Sequence, residues 1–237
     1  MYALNHFYAN VFDELGVNLA TGIQIHIFGV DDKAASTVYS DKIKTSKTNP
    51  ITTAVFATDG GVIEFWGAAA TYDVLIVDDE GNCRFVPDFS HSQHHRIVLD
   101  KSSVLKHMVV PLSFNDNSET DSGVDLIEGS WIVDAALEVV DIDATETVDA
   151  GTLTGGTNAD PNGLLAATAV GVAGFVALAG SDATTYGAFL IKADQSGSNV
   201  KSGHHIASGD ELSITSTGSA GSDTFTGYLH ILYVLLR

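Results

Sequence analysis

Positive charge is scarce in this chain. Eleven Lys and Arg residues stand against 30 Asp and Glu, a formal net charge of −19. So acidic a surface repels a phosphate backbone, which argues against nucleic acid as a partner, and it suits docking on a neutral or basic protein lattice. Cysteine is nearly absent too. With Cys83 alone there is no intramolecular disulfide and no CxxC pair, and the residue reads as small and half-buried beside a turn. The longest apolar run, residues 164–179, is rich in Ala and Gly and shorter than the roughly 20 residues a membrane helix needs, so it reads as buried and no membrane partner is expected. The first residues, MYALNHFYANVF, have neither a basic start nor a long apolar stretch and do not read as a signal peptide.

The sequence also lacks catalytic motifs. It contains no P-loop, no GxGxxG opening a helix, no GxSxG and no HExxH. The acid groups Asp141 with Asp143, and Asp78, Asp79 with Glu80, read as solvated turns, since a glycosidase needs a cleft and a fixed carboxylate separation. The acidic stretch 115–121 lacks the ligand order of an EF-hand. His91, His94 and His95 lie close together without the companions of a closed zinc site, and they read as a linker or a subunit contact. No catalytic residue, cofactor or metal ligand is assigned, and the chain is not expected to be an enzyme.

What the sequence does contain points to an all-β protein: 45% hydrophobic residues, 23 glycines and only 17% charged residues. Residues 1–21 mix aromatics with polar residues and read as an N-terminal arm. It packs on its own domain or docks on a neighbour, with Tyr2, Phe7, Tyr8 and Phe12 as anchors. Residues 22–86 read as a small β domain. Ile23, Ile25 and Ile27 alternate with Gln24, His26 and Phe28, which puts His26 on a solvent face. Asp59-Gly60-Gly61 is a hairpin signal between strands, Val62–Trp66 and Tyr72–Val77 are strands, and 78–82 is a turn. Lys42, Lys44 and Lys47 form the densest basic patch, either a solvated loop or an electrostatic contact.

Residues 87–107 carry Pro87, Asp88, Ser90 and Ser92 and read as a linker. Residues 108–237 read as a β-sandwich or jelly-roll-like domain. Its expected strands include an edge strand around Pro111, a long one over 130–140, others over 147–153 and 211–216, and a last one over 225–236. That last strand is apolar on both faces, so it is central or lies at an interface, with Tyr228 and Tyr233 as interface candidates. Asp160 before Pro161 suggests a short helical turn over 161–169. Trp66 and Trp131 sit in hydrophobic strand patterns and read as core.

The layout of residues 22–82, with a Thr37-Val38-Tyr39 strand, Asn49-Pro50, Asp59-Gly60, Val62–Trp66 and a strand containing Tyr72-Asp73-Val74, resembles small N-terminal domains of tailed-bacteriophage virion proteins. The order Gly129–Val133, Thr147–Gly151, Asp160–Gly163 and Gly227–Ile231 resembles β-sandwich domains of the head-decoration and fibre type. The resemblance implies a virion structural protein, above all a capsid cement or decoration protein that clamps the major capsid protein as a homotrimer. The alternatives are a tail fibre or tailspike adaptor seated on a tail or portal-proximal protein, and a carbohydrate-binding module for host surfaces.

Overall fold

The computed structural model describes residues 4–13, 23–39, 46–47, 51–53, 62–78, 80–92, 95–99, 104–114, 119–142, 147–153, 159–169, 173–176, 189–193, 199–201, 203–207, 209–216 and 225–235. The fold is all-β, with no helix among the described residues. The chain divides into two compact units, Met1–Ser103 and Val104–Arg237.

In the first unit the strands are β1 (Asn5–Asp13), β2 (Ile23–Phe28), β3 (Val38–Tyr39), β4 (Ser46–Lys47), β5 (Ile51–Thr53), β6 (Val62–Gly67), β7 (Thr71–Val77), β8 (Cys83–Ser90) and β9 (His95–Leu99). They form one sheet in the order β4-β3-β6-β1-β9 and another in the order β5-β2-β7-β8. Period-two alternation sends Phe7, Ala9 and Val11 of β1 and Ile63 and Phe65 of β6 inward. There they meet Ile23, Ile25 and Ile27 of β2 and Tyr72, Val74 and Ile76 of β7 in one buried cluster. Phe7 is its aromatic centre, stacked on Phe65 at 4.8 Å between ring centroids and edge-on to Tyr72 at 5.1 Å.

Three expectations for this unit are corrected. The stretch expected to be an arm contains β1, which lies between β6 and β9, antiparallel to the first and parallel to the second. Its alternation is masked in the sequence because the outward Tyr8 is as aromatic as the inward Phe7. Phe7 is thus a core residue with no exposed surface, not an interface anchor. The expected linker over 87–107 is strand for much of its length. Its loop-forming residues Pro87 and Asp88 sit in a bulge on β8, an edge strand, where a missing N–H and a positive φ (51° at Asp88) are tolerated. His26 is buried rather than solvent-facing, because β2 and β7 are covered on both faces.

One buried ion pair fastens this covering. Lys33 Nζ donates to Asp73 Oδ2 at 2.9 Å, with the two side chains 5% and 1% exposed. Asp73 Oδ1 also accepts the Asp88 N–H at the bulge, at 3.1 Å. The turn after β2 and the bulge of β8 are therefore tied to a single carboxylate on β7.

In the second unit the strands are β10 (Leu105–Phe114), β11 (Thr120–Asp125), β12 (Ser130–Ile142), β13 (Thr147–Thr152), β14 (Leu165–Ala169), β15 (Gly174–Val176), β16 (Ile191–Ala193), β17 (Asn199–Lys201), β18 (His204–His205), β19 (Glu211–Ser216) and β20 (Phe225–Leu235). One sheet runs β10-β20-β12-β15, with β18 also paired to β12. Another runs β11-β19-β13-β14, and β16 pairs β17. β10 packs against β11 and β19 of the second sheet, so the unit is a β-sandwich. Of the two positions its apolar faces allowed, central or interfacial, β20 takes the central one, and β10 is an edge that accommodates Pro111. Phe225, Leu229, Ile231 and Tyr233 point inward and are buried. Tyr233 is therefore a core side chain, 2% exposed, and not an interface contact.

Two further corrections belong to this unit. The helical turn expected over 161–169 is a turn at Pro161-Asn162 followed by β14. Asp160 does cap a turn, but through its carbonyl, which accepts N–H bonds from Gly163 and Thr152 at 2.9 Å each, and this steers the chain into pairing with β13 instead of a helix. Trp131, expected in the core, lies on the outer face of β12 and is 40% exposed.

The buried pair generates a test. Replacing Lys33 with Met leaves the Asp73 charge buried and should cost about 3–5 kcal/mol of first-unit stability. Adding Asp73→Asn, which keeps an acceptor for the Asp88 N–H without the charge, should recover part of that loss. Urea unfolding of the two variants reads both outcomes, and an unchanged midpoint for the single variant would overturn the assignment.

Candidate docking face and histidine relay

The outer face of the β10-β20-β12-β15 sheet is where apolar surface accumulates. Seven large apolar side chains are exposed among the described residues, and six of them, Val104, Leu105, Trp131, Val133, Val140 and Phe175, lie on these strands or directly before β10. Cross-strand register explains how they gather. Leu105 and Trp131 both flank Val234 on the outer face of β20, and Glu138 pairs Tyr228 on one side and Phe175 on the other. Register shifts in β12 between Ile132 and Asp134, and between Val139 and Asp141, leave Val133 and Val140 without a facing partner, and both side chains are exposed. Exposed apolar side chains gathered on one sheet make this face a candidate interaction surface.

Within this face lies a cavity of about 290 Å³, lined by Ala135, Ala136, Leu232 and Phe175 together with His107, His230 and Asp134. His230 joins two of the polar groups beside it. Its Nε2 lies 3.1 Å from Glu138 Oε2, and its Nδ1 lies 3.0 Å from His107 Nε2. A carboxylate only accepts, so in the neutral relay His230 donates from Nε2 to Glu138. Its Nδ1 is then the acceptor for the His107 Nε2–H. Three strands thus contribute one directional chain, from β10 through β20 to β12. Burial and the neighbouring His230 hold His107 below the ordinary imidazole value, so it is neutral at pH 7. The Phe175 ring lies 5.0 Å from the His230 ring and is itself 63% exposed.

A second group of titratable residues lies on the other sheet. Asp121 and Asp125 of β11 face Ser213 and Glu211 of β19, with Asp210 alongside. Burial, then Asp121 and Asp210, raise Asp125 above the ordinary carboxylate range. Glu211 is raised mainly by the Asp121 charge, with burial, Asp125 and a hydrogen bond to Asp121 adding to it. In the first unit, the outer face of the β1-containing sheet carries His6, stacked on Trp66 at 4.4 Å and hydrogen-bonded to Glu64 at 2.8 Å.

Among the interface candidates read from the sequence, Tyr228 lies on the docking face and Tyr8 on the outer face of β1. Phe12 belongs to β1 and Lys47 to β4, whereas Tyr2, Lys42 and Lys44 lie outside the described residues. His91 and His95 each have a separate partner, the Ala70 carbonyl and the Ser90 carbonyl, both at 3.0 Å. The sequence reading missed the whole relay, because His107, Glu138 and His230 are far apart in the chain. The one available signal was His230 on the apolar outer side of the last strand. No protein-family model matches the chain, and no curated protein or solved structure is similar to it.

The acidic group has a pH signature. Where a folded carboxyl is raised, the folded state holds its proton more tightly than the unfolded chain. That stabilisation is present below the ordinary carboxylate pKa and lost as pH rises through the raised values. At pH 7 the cluster is therefore a net repulsion. Asp121→Asn retains the side-chain oxygen that accepts the Gly123 N–H at 2.7 Å. It should raise second-unit stability at pH 7 by a few tenths of a kcal/mol, to about 1 at most. Melting curves should show this gain vanishing near pH ~3, where the carboxylates are protonated.

Proposed function

We propose that the chain is a structural component of a tailed-phage virion. In this reading it is a capsid cement or decoration protein that attaches to the major capsid protein through the outer face of the β10-β20-β12-β15 sheet. The observation that carries the docking part is the concentration of exposed apolar side chains on that one sheet. The virion part rests on the sequence resemblance. The charged groups on the same face are Asp134, Glu138 and Asp141, with no Lys or Arg among its described residues, so it complements an apolar surface rimmed by basic groups. The chain's own excess of negative charge makes a second copy a poor partner for this face. The homotrimer implied by the resemblance would form through other surfaces.

The exposure of Trp131, with the His205 ring 6.5 Å away, favours one second reading: a sugar platform contacting a host surface. A tail or portal-proximal seat is the other position the resemblance allows.

Copy number separates these readings. A cement protein should be present on the order of hundreds of copies per virion, against roughly six to eighteen for a tail component. Val133→Asp on the docking face should abolish decoration without unfolding the chain, and undecorated heads should lose heat resistance. Light scattering on the purified chain reads the trimer. Decoration unaffected by Val133→Asp would remove the docking reading. Specific retention on a glycan array would install the sugar-binding reading, and hydrolysis of host polysaccharide by the purified chain would overturn both non-enzymatic readings.

A further inference from the structure

We infer that the cavity beside the His107–His230 pair is a socket for one aromatic side chain of a partner protein, flanked on that partner by Lys or Arg, and that acidification empties it. The inference rests on the docking reading of this sheet and names what anchors the partner. Four features of the site carry it.

Size comes first. About 290 Å³ is at or below the low end of the roughly 300–1,000 Å³ typical of drug-sized ligand sites, so the cavity has room for a single ring system. Shape follows from the strands. Ala136 faces His230 across the β12–β20 ladder, and its small side chain leaves outer-face space that a larger one would fill. Phe175 supplies an exposed aromatic wall for offset or edge-on ring packing. Position is third: buried aromatic anchors surrounded by weaker contacts dominate protein interfaces, and the strands that line this cavity also carry the exposed Leu105, Trp131 and Val140. Charge is fourth. Asp134 lines the cavity and Glu138 closes the relay, so the flanking groups of the partner are basic.

The relay supplies the pH dependence. The titratable and charged groups facing the pair are Glu138 and Asp134 from β12 and Tyr228 from β20, while β15 contributes only the uncharged Phe175. A proton gained by His107, 3.0 Å from the His230 ring nitrogen, places charge on a wall that a docked ring has stripped of water. The docked state therefore binds that proton less readily than the open one, and by linkage its affinity falls as His107 protonates. Burial already disfavours the charged form of His107 in the open state, in the same direction. Attraction between an imidazolium and an aromatic face acts oppositely, so the sign of the measured pH effect is itself diagnostic.

Indole, a neutral single ring system, titrated into the full chain and followed by calorimetry, tests the socket without any partner. Binding near pH ~7.5 should weaken at least about tenfold by pH ~5, where unperturbed histidine is protonated. Ala136→Trp should abolish binding. His107→Leu should preserve it at the higher pH and remove most of the acid-side loss, with circular dichroism confirming that each variant is folded. Phe175→Ala, at an exposed position, should weaken binding without affecting the fold. Several outcomes would overturn the inference: tighter binding in acid, binding unchanged by Ala136→Trp, or methylguanidinium displacing the neutral probe. Docking on capsid shells that survives Ala136→Trp but not Val133→Asp would leave the docking face standing and remove the socket. Probe binding that behaves as expected, on a chain that never decorates shells, would do the reverse.

Discussion

The seating of β20 between β10 and β12 is the constraint on which the second unit depends. The strand is apolar on both faces, and a sandwich can bury only one. Phe225, Leu229, Ile231 and Tyr233 take the inner face, and Tyr228, Leu232 and Val234 are left on the outer one. Because β20 is central, both neighbours must continue that outer surface. They do so with Leu105 and His107 on one side and Trp131, Ala136 and Glu138 on the other. The docking face is thus what remains once the core of this unit has been satisfied. Its apolar character belongs to the sheet and not to any single strand.

The first unit solves a different problem. Its β2 and β7 are buried on both faces, so a polar group placed among them needs a partner inside the protein. Lys33 and Asp73 supply each other with one, and the carboxylate has a second oxygen left for the Asp88 N–H. The pair costs desolvation energy and gives geometry in return. It fixes the turn after β2 to β7 and holds the bulge that interrupts the β7–β8 pairing between Tyr72–Phe89 and Val74–Val86. In the same unit the aromatic cluster around Phe7 joins four strands, which makes β1 a central piece of the sandwich.

Electrostatics connect the docking face to its proposed partner. The face carries exposed apolar side chains and is acidic where it is charged, and a histidine pair lines a cavity in it. With both rings neutral the pair is an internally hydrogen-bonded part of the wall, because Glu138 fixes the tautomer of His230 and His230 fixes that of His107. The relay needs no catalytic task to explain it. It lets three polar side chains sit in an apolar surface with their hydrogen bonds directed at one another.

Composition and period-two patterning by themselves determined that the chain is all-β, that Glu211–Ser216 and Phe225–Leu235 are strands, that the last strand is central or lies at an interface, and that Pro111 lies on an edge. These follow from local rules: alternation, turn residues and the N–H that proline lacks. Tertiary structure alone decided the rest. Loop-forming Pro87 and Asp88 became part of a strand because β8 is last in its sheet among the described residues and Asp73 provides an acceptor. Phe7 became core because β6 and β9 enclose β1, while Trp131 became surface because register places it opposite Val234. The histidine relay draws on residues 107, 138 and 230. Strand order brings these together, and no spacing within the sequence records a contact made across a sheet.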